Sequence, residues 1–267
     1  MREEIIGAAV ERVSRIVVDA LQRGDAPTPD ALRLLLRGYA ATGRDDFRDV
    51  LEPGLARALE IAADSPSEAS PGWLILFAEA AEASDDERLR NAVSNLASKI
   101  PMNWGPTRPI ALAARSVDAC LRANVYLPEA IDELERLVSA KYEPGQGMSD
   151  VFEDEISVAA ALLTAFAVTD RLPYAMLAEE LARHACGALL EPARVSFAAG
   201  CEAASVLARL AALHHNEEYV AAAVIAPGAQ YEVDAAGILE RLAGKVHNHG
   251  LAAASYGLAA GELRPVL

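Results

Sequence analysis

Four acids, Asp150, Glu153, Asp154 and Glu155, open a strongly helical stretch. Two neighbouring carboxylates can divide acid and base work when their surroundings push their pKa values apart. Glu153 and Asp154 are therefore catalytic candidates. The same residues have a structural reading: Asp150 can cap the helix with Glu153 in the third position, and acids in a first turn suit the positive end of the helix dipole. His249, at the start of a later helix, is a third candidate, since histidine exchanges protons near neutral pH. Trp104, just before another helix, offers a face on which a ligand can stack.

Two polar stripes suggest ligand binding. Arg108, Arg115, Asp118 and Arg122 recur at helical spacing, and so do Glu202, Ser205 and Arg209. Residues three, four and seven apart share one face of a helix. Such a face either meets water in a central opening or forms an internal ion-pair network, because buried charges must be paired. Arg108, Arg115, Glu202 and Arg209 are thus the ligand-binding candidates, together with Trp104.

Other chemistries find little support. His214 and His215 adjoin in a turn, and His247 and His249 flank Asn248, but neither pair completes a metal-ligand set. The expectation is no metal and no cofactor. Cys120, Cys186 and Cys201 show no CxxC spacing, and Cys120 and Cys201 read as small core residues. His184 and Cys186 are two apart and do not face each other on a helix. GxSxG, GxGxxG and P-loop patterns are absent.

The elements carrying these residues are helical throughout. Ile6, Ala9, Val13, Ile16, Val17 and Ala20 form one apolar stripe. Asp30 is expected to cap the second helix and Thr42-Gly43 to end it. The pattern predicts helices at 3–23, 30–42, 46–64, 71–83, 86–100, 107–123, 128–141, 152–169, 172–190, 196–213, 217–243 (broken near Pro227-Gly228) and 248–261. No strand pattern stands out. Phe47, Leu89, Tyr174 and Tyr219 each follow a turn, at spacings that fit a period of about 42–45 residues, with one member expected near Leu127–Ile131; that period indicates a helical-hairpin repeat. Alanine is roughly a fifth of the 267 residues. It is concentrated in alternate helices, as in 111–116, 198–205 and 251–257, which suits a crowded inner ring inside a bulkier outer one.

This alternation resembles the (α/α)6 toroid of six-hairpin glycosidase-like proteins. Two parts are similar to the helical C-terminal domain of the thioredoxin-domain-containing family related to spermatogenesis-associated proteins. They are the segment from Gly147 to Phe166, and the segment from Ala203 to Tyr219, with Arg209–Leu213, followed by His249 to Leu258. This chain shows neither a thioredoxin-like domain nor a CxxC. The resemblance implies a toroid and, by analogy, a carbohydrate-active hydrolase or epimerase.

The net charge of −15 excludes nonspecific nucleic-acid and anionic-membrane binding as expectations. Aromatics are 5% of the residues, few for a sugar site that stacks on rings. The charged N-terminus is unlike a secretory signal, and no apolar run suggests a membrane span, so a cytoplasmic location is expected. The sequence thus predicts a single all-α domain over 1–267, a closed toroid or else an open HEAT/armadillo-like solenoid. Its expected role is noncatalytic binding of a small polar ligand or protein partner, with the carbohydrate-active enzyme as the alternative.

Overall fold

The computed structural model describes residues 2–188, 195–222 and 229–263. Among them lie thirteen α-helices, joined by short turns and 3-10 segments, and no strand. They are α1 (Arg2–Gln22), α2 (Pro29–Thr42), α3 (Asp45–Ala63), α4 (Ser70–Ala83), α5 (Glu87–Ala97), α6 (Ile110–Arg122) and α7 (Leu127–Lys141). The rest are α8 (Phe152–Thr169), α9 (Leu172–Ala188), α10 (Phe197–His214), α11 (Glu217–Ala222), α12 (Tyr231–Ala243) and α13 (Ala254–Leu263). Among the described residues no helix is long and apolar enough to cross a membrane.

Local chemistry sets most boundaries. Gly43 ends α2 in the left-handed conformation and returns its N–H to the Tyr39 carbonyl at 2.8 Å, as the sequence suggests. The cap at the other end is Thr28, whose hydroxyl accepts from Ala31 N, and Pro29 takes the first helical position. The expectation for Asp30 is corrected: it lies inside the first turn and bonds Arg33. The helix expected at 248–261 is also corrected. Residues Val246–Asn248 and Gly250–Ala253 form 3-10 turns, the second opening on Gly250 at positive φ, and α13 begins only at Ala254. The stretch expected at 217–243 is two helices, α11 and α12; the expected break at Pro227-Gly228 lies outside the described residues, as do positions 189 and 190.

Helices of two kinds alternate. α1, α3 and α5 bury one stripe each; in α5 only Leu89, Leu96 and Ala97 are buried. By contrast α8 and α10 are buried on nearly all sides, through Ala, Ser and Cys as much as through Leu and Val. Every second helix from α2 to α10 packs on the next, and α13 completes the series: α2 packs on α4, α4 on α6, α6 on α8, α8 on α10, and α10 on α13. α13 then packs on both α1 and α2, so the last helix meets the first two. That contact is close: a Cβ on Gly257 of α13 would lie 2.7 Å from a Leu34 methyl of α2. On the outside, Phe47, Leu89, Tyr174 and Tyr219 are each the third residue of α3, α5, α9 and α11, and all are buried. In α7 the third residue is Glu129, and the neighbouring Ala130 is the buried one. Full burial of one large apolar side chain is worth about 1.5–3 kcal/mol, so these anchors tie each outer helix to the core.

Candidate functional site

Small inner side chains leave a space along the axis of the six-helix cycle. The resulting cavity of about 340 Å³ takes lining residues from all six helices. Arg33 and Arg37 come from α2, Ile75 from α4, Arg115, Asp118 and Arg122 from α6, and Ala160 from α8. Glu202, Ser205 and Arg209 come from α10, and Leu258 and Glu262 from α13.

Cross-links between these helices join residues at matching depth. Near their N-termini, Glu202 of α10 accepts from Arg115 of α6 (Nη2, 2.6 Å) and from Ser157 of α8 (3.1 Å). Further along, Arg37 of α2 donates to Glu79 of α4 at 2.7 Å and to Glu262 of α13 at 3.1 Å. Arg33 also grips Glu79 through two nitrogens, at 2.9 and 3.2 Å. Such links require the six helices to run the same way. Their N-termini gather at one end of the cavity and their C-termini at the other.

The charges are unevenly spread along that axis. At the C-terminal end three guanidiniums, Arg37, Arg122 and Arg209, face three carboxylates, Glu79, Asp118 and Glu262, while Arg33, nearer the start of α2, bridges Asp30 and Glu79. At the N-terminal end Arg115 is bonded to Glu202, its charged form is stabilised by Glu202, Glu153 and Asp154, and Asp30 is bonded to Arg33. Helix dipoles favour this order, acids at N-termini and arginines at C-termini.

Arg209 is the exception to the pairing. Its Nη1 donates to the Ala160 carbonyl at 3.1 Å and its Nη2 to the Thr164 hydroxyl at 3.0 Å. Among the described residues no carboxylate lies within ion-pair distance of it; Thr164, which also bonds Asp118, stands between. Burial pushes the Arg209 guanidinium down to about 10, and the neighbouring Arg122 charge adds to that, against the opposing pull of Asp118 and Glu262. Arg122 has the opposite balance: the Asp118 charge, bonded at 2.7 Å, raises it despite burial. Glu79 is pushed up by burial, but Arg33 and Arg37 more than offset this and hold it below the usual carboxylate range.

The sequence candidates separate on this geometry. Arg115, Glu202 and Arg209 line the cavity, with Asp118, Arg122 and Ser205 from the same stripes. Arg108 does not join its stripe: α6 starts at Ile110, and Arg108 sits exposed in the preceding loop. Trp104 packs against the hydrophobic core with its Nε1 buried, and is not part of the cavity lining. His249 stacks on Phe197, ring centroids 3.9 Å apart, outside that lining. Asp154 is occupied: one oxygen takes Ala111 N, in the first turn of α6, at 3.0 Å, and the other takes the Ser149 hydroxyl. Glu153 accepts from Ser196, which itself caps α10. Asp150 is exposed, and Val151 with no side-chain cap starts α8, which corrects the capping expectation.

Glu155 holds the turn before α8. Its Oε1 accepts from Met148 N (2.6 Å) and Ser149 N (3.1 Å), with His184 at 3.5 Å. Gly147 is obligatory there. It has φ +80, and a Cβ would lie 2.3 Å from Glu155 Oε1. Cys120 and Cys201 are buried, and burial pushes each thiol up to about 12. Sequence reasoning missed Arg33, Arg37 and Glu262, which line the cavity, and Glu79, which pairs with the two arginines. Arg33 and Arg37 are one turn apart on a helix of the inner series, and that spacing could have found them.

No family model matches the chain, no curated protein matches it, and no solved structure matches it.

Proposed function

We propose that this chain is a noncatalytic (α/α)6 toroid of six helical hairpins that binds a small polar ligand in its central lumen. The closed order of inner-helix contacts supports the toroid, in keeping with the six-hairpin resemblance of the sequence. The observation that carries the binding role is the cavity itself: about 340 Å³, walled by every inner helix, and lined by guanidinium and carboxylate groups rather than apolar side chains alone. Ligand sites are typically concave spaces of roughly 300–1,000 Å³ with a few fixed polar groups.

The noncatalytic reading rests on how the first acids of α8 are used. Asp154 has both oxygens committed to the α6 N-terminus and to Ser149, and Glu153 orients the cap of α10. Among the described residues the lining holds no aromatic ring, so the stacking face of a sugar site is not part of it. The carbohydrate-active alternative draws on the resemblance alone, which is a fold-level argument.

Two measurements test this together. A thiol placed by Ser205→Cys reports access to the lumen, and a thermal-shift panel of organic acids, amino acids and sugars reports binding. The expected result is labelling of the Ser205→Cys thiol well above the background from the native cysteines. At least one compound class should both raise Tm and slow that labelling. A thiol that never labels, or stabilising compounds that never protect it, would overturn the reading.

A further inference from the structure

The lumen has two ends of different character, and the arginine end has unused bonding capacity. A guanidinium carries five N–H donors in a planar fork. Arg209 spends one Nη1 and one Nη2 hydrogen on Ala160 and Thr164. Arg122 uses only its Nε, on Asp118. Among the described residues, the remaining N–H groups of these two arginines have no acceptor. The two are near enough for the charge of one to disfavour the charge of the other. An anion between them would relieve that repulsion and accept two-pronged hydrogen bonds, the geometry in which arginine binds carboxylates best.

At the opposite end the excess is acidic. Glu202, Glu153 and Asp154 are near enough to Arg115 for each to stabilise its charge, and Asp30 beside them is bonded to Arg33 at 3.4 Å. A second negative group would be repelled here, whereas an ammonium would be attracted. The ends are joined by α10 itself. Glu202 and Arg209 both line the cavity on that helix, seven residues apart, with Ser205 between them. Seven residues of α-helix rise about 10 Å. One ligand spanning both ends must therefore carry its opposite charges at the two ends of an extended chain, not on one carbon.

We infer that the lumen binds a linear zwitterion, its carboxylate clamped by Arg209 and Arg122 and its ammonium held among the carboxylates around Glu202. The inference rests on the lumen being a binding site, and names what that site selects. It accounts for a cationic group left without an acidic partner at one end of a cavity in a strongly acidic protein. It also separates the site from a neutral-sugar pocket, where a lone guanidinium would have no counter-charge.

The test is calorimetric titration of the full chain with four probes: 6-aminohexanoate, hexanoate, glycine and inorganic phosphate. The expected order places 6-aminohexanoate at least tenfold tighter than each of the others. Arg209→Gln should weaken it at least tenfold, and Glu202→Gln should narrow its advantage over hexanoate. Circular dichroism and melting of both variants report whether they fold; if either does not, Arg209→Lys, which keeps charge but not the fork, takes its place and should still weaken binding severalfold. Hexanoate or phosphate binding as tightly as 6-aminohexanoate would overturn the zwitterion. Silence from all four probes would also overturn it. In that case protection of the Ser205→Cys thiol by any uncharged compound would keep the lumen as a binding site, so the two readings fail separately.

Discussion

Arg209 and Glu179 are both charged groups held in the apolar body of this fold, yet their surroundings differ. Glu179, on α9, is only 4% exposed. Its two oxygens accept from Tyr231 (2.9 Å) and Tyr219 (3.2 Å), and His214 Nε2 lies 3.3 Å away. Those partners come from α10, α11 and α12, and their rings pack on one another. Burial, followed by the carboxylate's charge, raises both phenols far above their ordinary value, so they stay protonated donors. The Arg209 fork instead faces open volume. Both clusters are buried and polar, but one is filled with its own partners and the other is not. Acid, tyrosine and histidine in contact look more like an active site than a row of paired arginines does. The space beside the groups, not their identity, distinguishes a structural clasp from a site.

That contrast is breakable by substitution, and the expected losses fall in a definite order. Glu179→Ala should cost the most, about 3 kcal/mol or more, because two buried phenols lose their acceptor at once. Urea denaturation checks this, and a loss below about 1 kcal/mol would mean that the cluster holds nothing together. Glu79→Gln should cost less, about 1–2 kcal/mol, since Arg33 and Arg37 keep partners in Asp30 and Glu262 and part of the group meets water.

The same carboxylate predicts an acid response. Its folded pKa lies below the ordinary value of 4.5, as does that of Glu133, where Arg136 and Gly105 N outweigh burial. Stability from a depressed carboxylate is complete above its unfolded pKa and is lost as pH falls through the folded one. Unfolding free energy should therefore decline below about pH 4.5, and Glu79→Gln should flatten part of that decline. An unchanged slope would contradict the pairing. Arg209→Gln should have the smallest effect on stability, within about 0.5 kcal/mol, because it removes a buried charge with no acidic partner while glutamine keeps a donor. A loss comparable with Glu179→Ala would place Arg209 among the structural clasps.

Much of this was readable in the sequence where the information is local. The limits of α8 follow from its periodicity, and Gly43 marks the end of α2 through its backbone freedom. Arg115, Asp118, Arg122, Glu202, Ser205 and Arg209 stand out because polar side chains recur on one face of helices otherwise rich in alanine. What was not readable depends on distant partners. Asp154 spends its oxygen on a backbone N–H 43 positions earlier. Arg108 seemed to continue a stripe that the true start of α6 excludes. Arg33 and Arg37 resemble an ordinary solvent-facing edge until α4 and α13 close beside them. Trp104 and His249 stand out by their chemistry, but packing against the core and against Phe197 decides their places.

The most direct measurement of the central claim is the labelling rate of the Ser205→Cys thiol, halfway between Glu202 and Arg209, with and without 6-aminohexanoate. The account predicts at least a tenfold slowing at saturation in the parent background and none when Arg209→Gln is added. Labelling that is unaffected by the ligand, or slowed equally in both backgrounds, would contradict it.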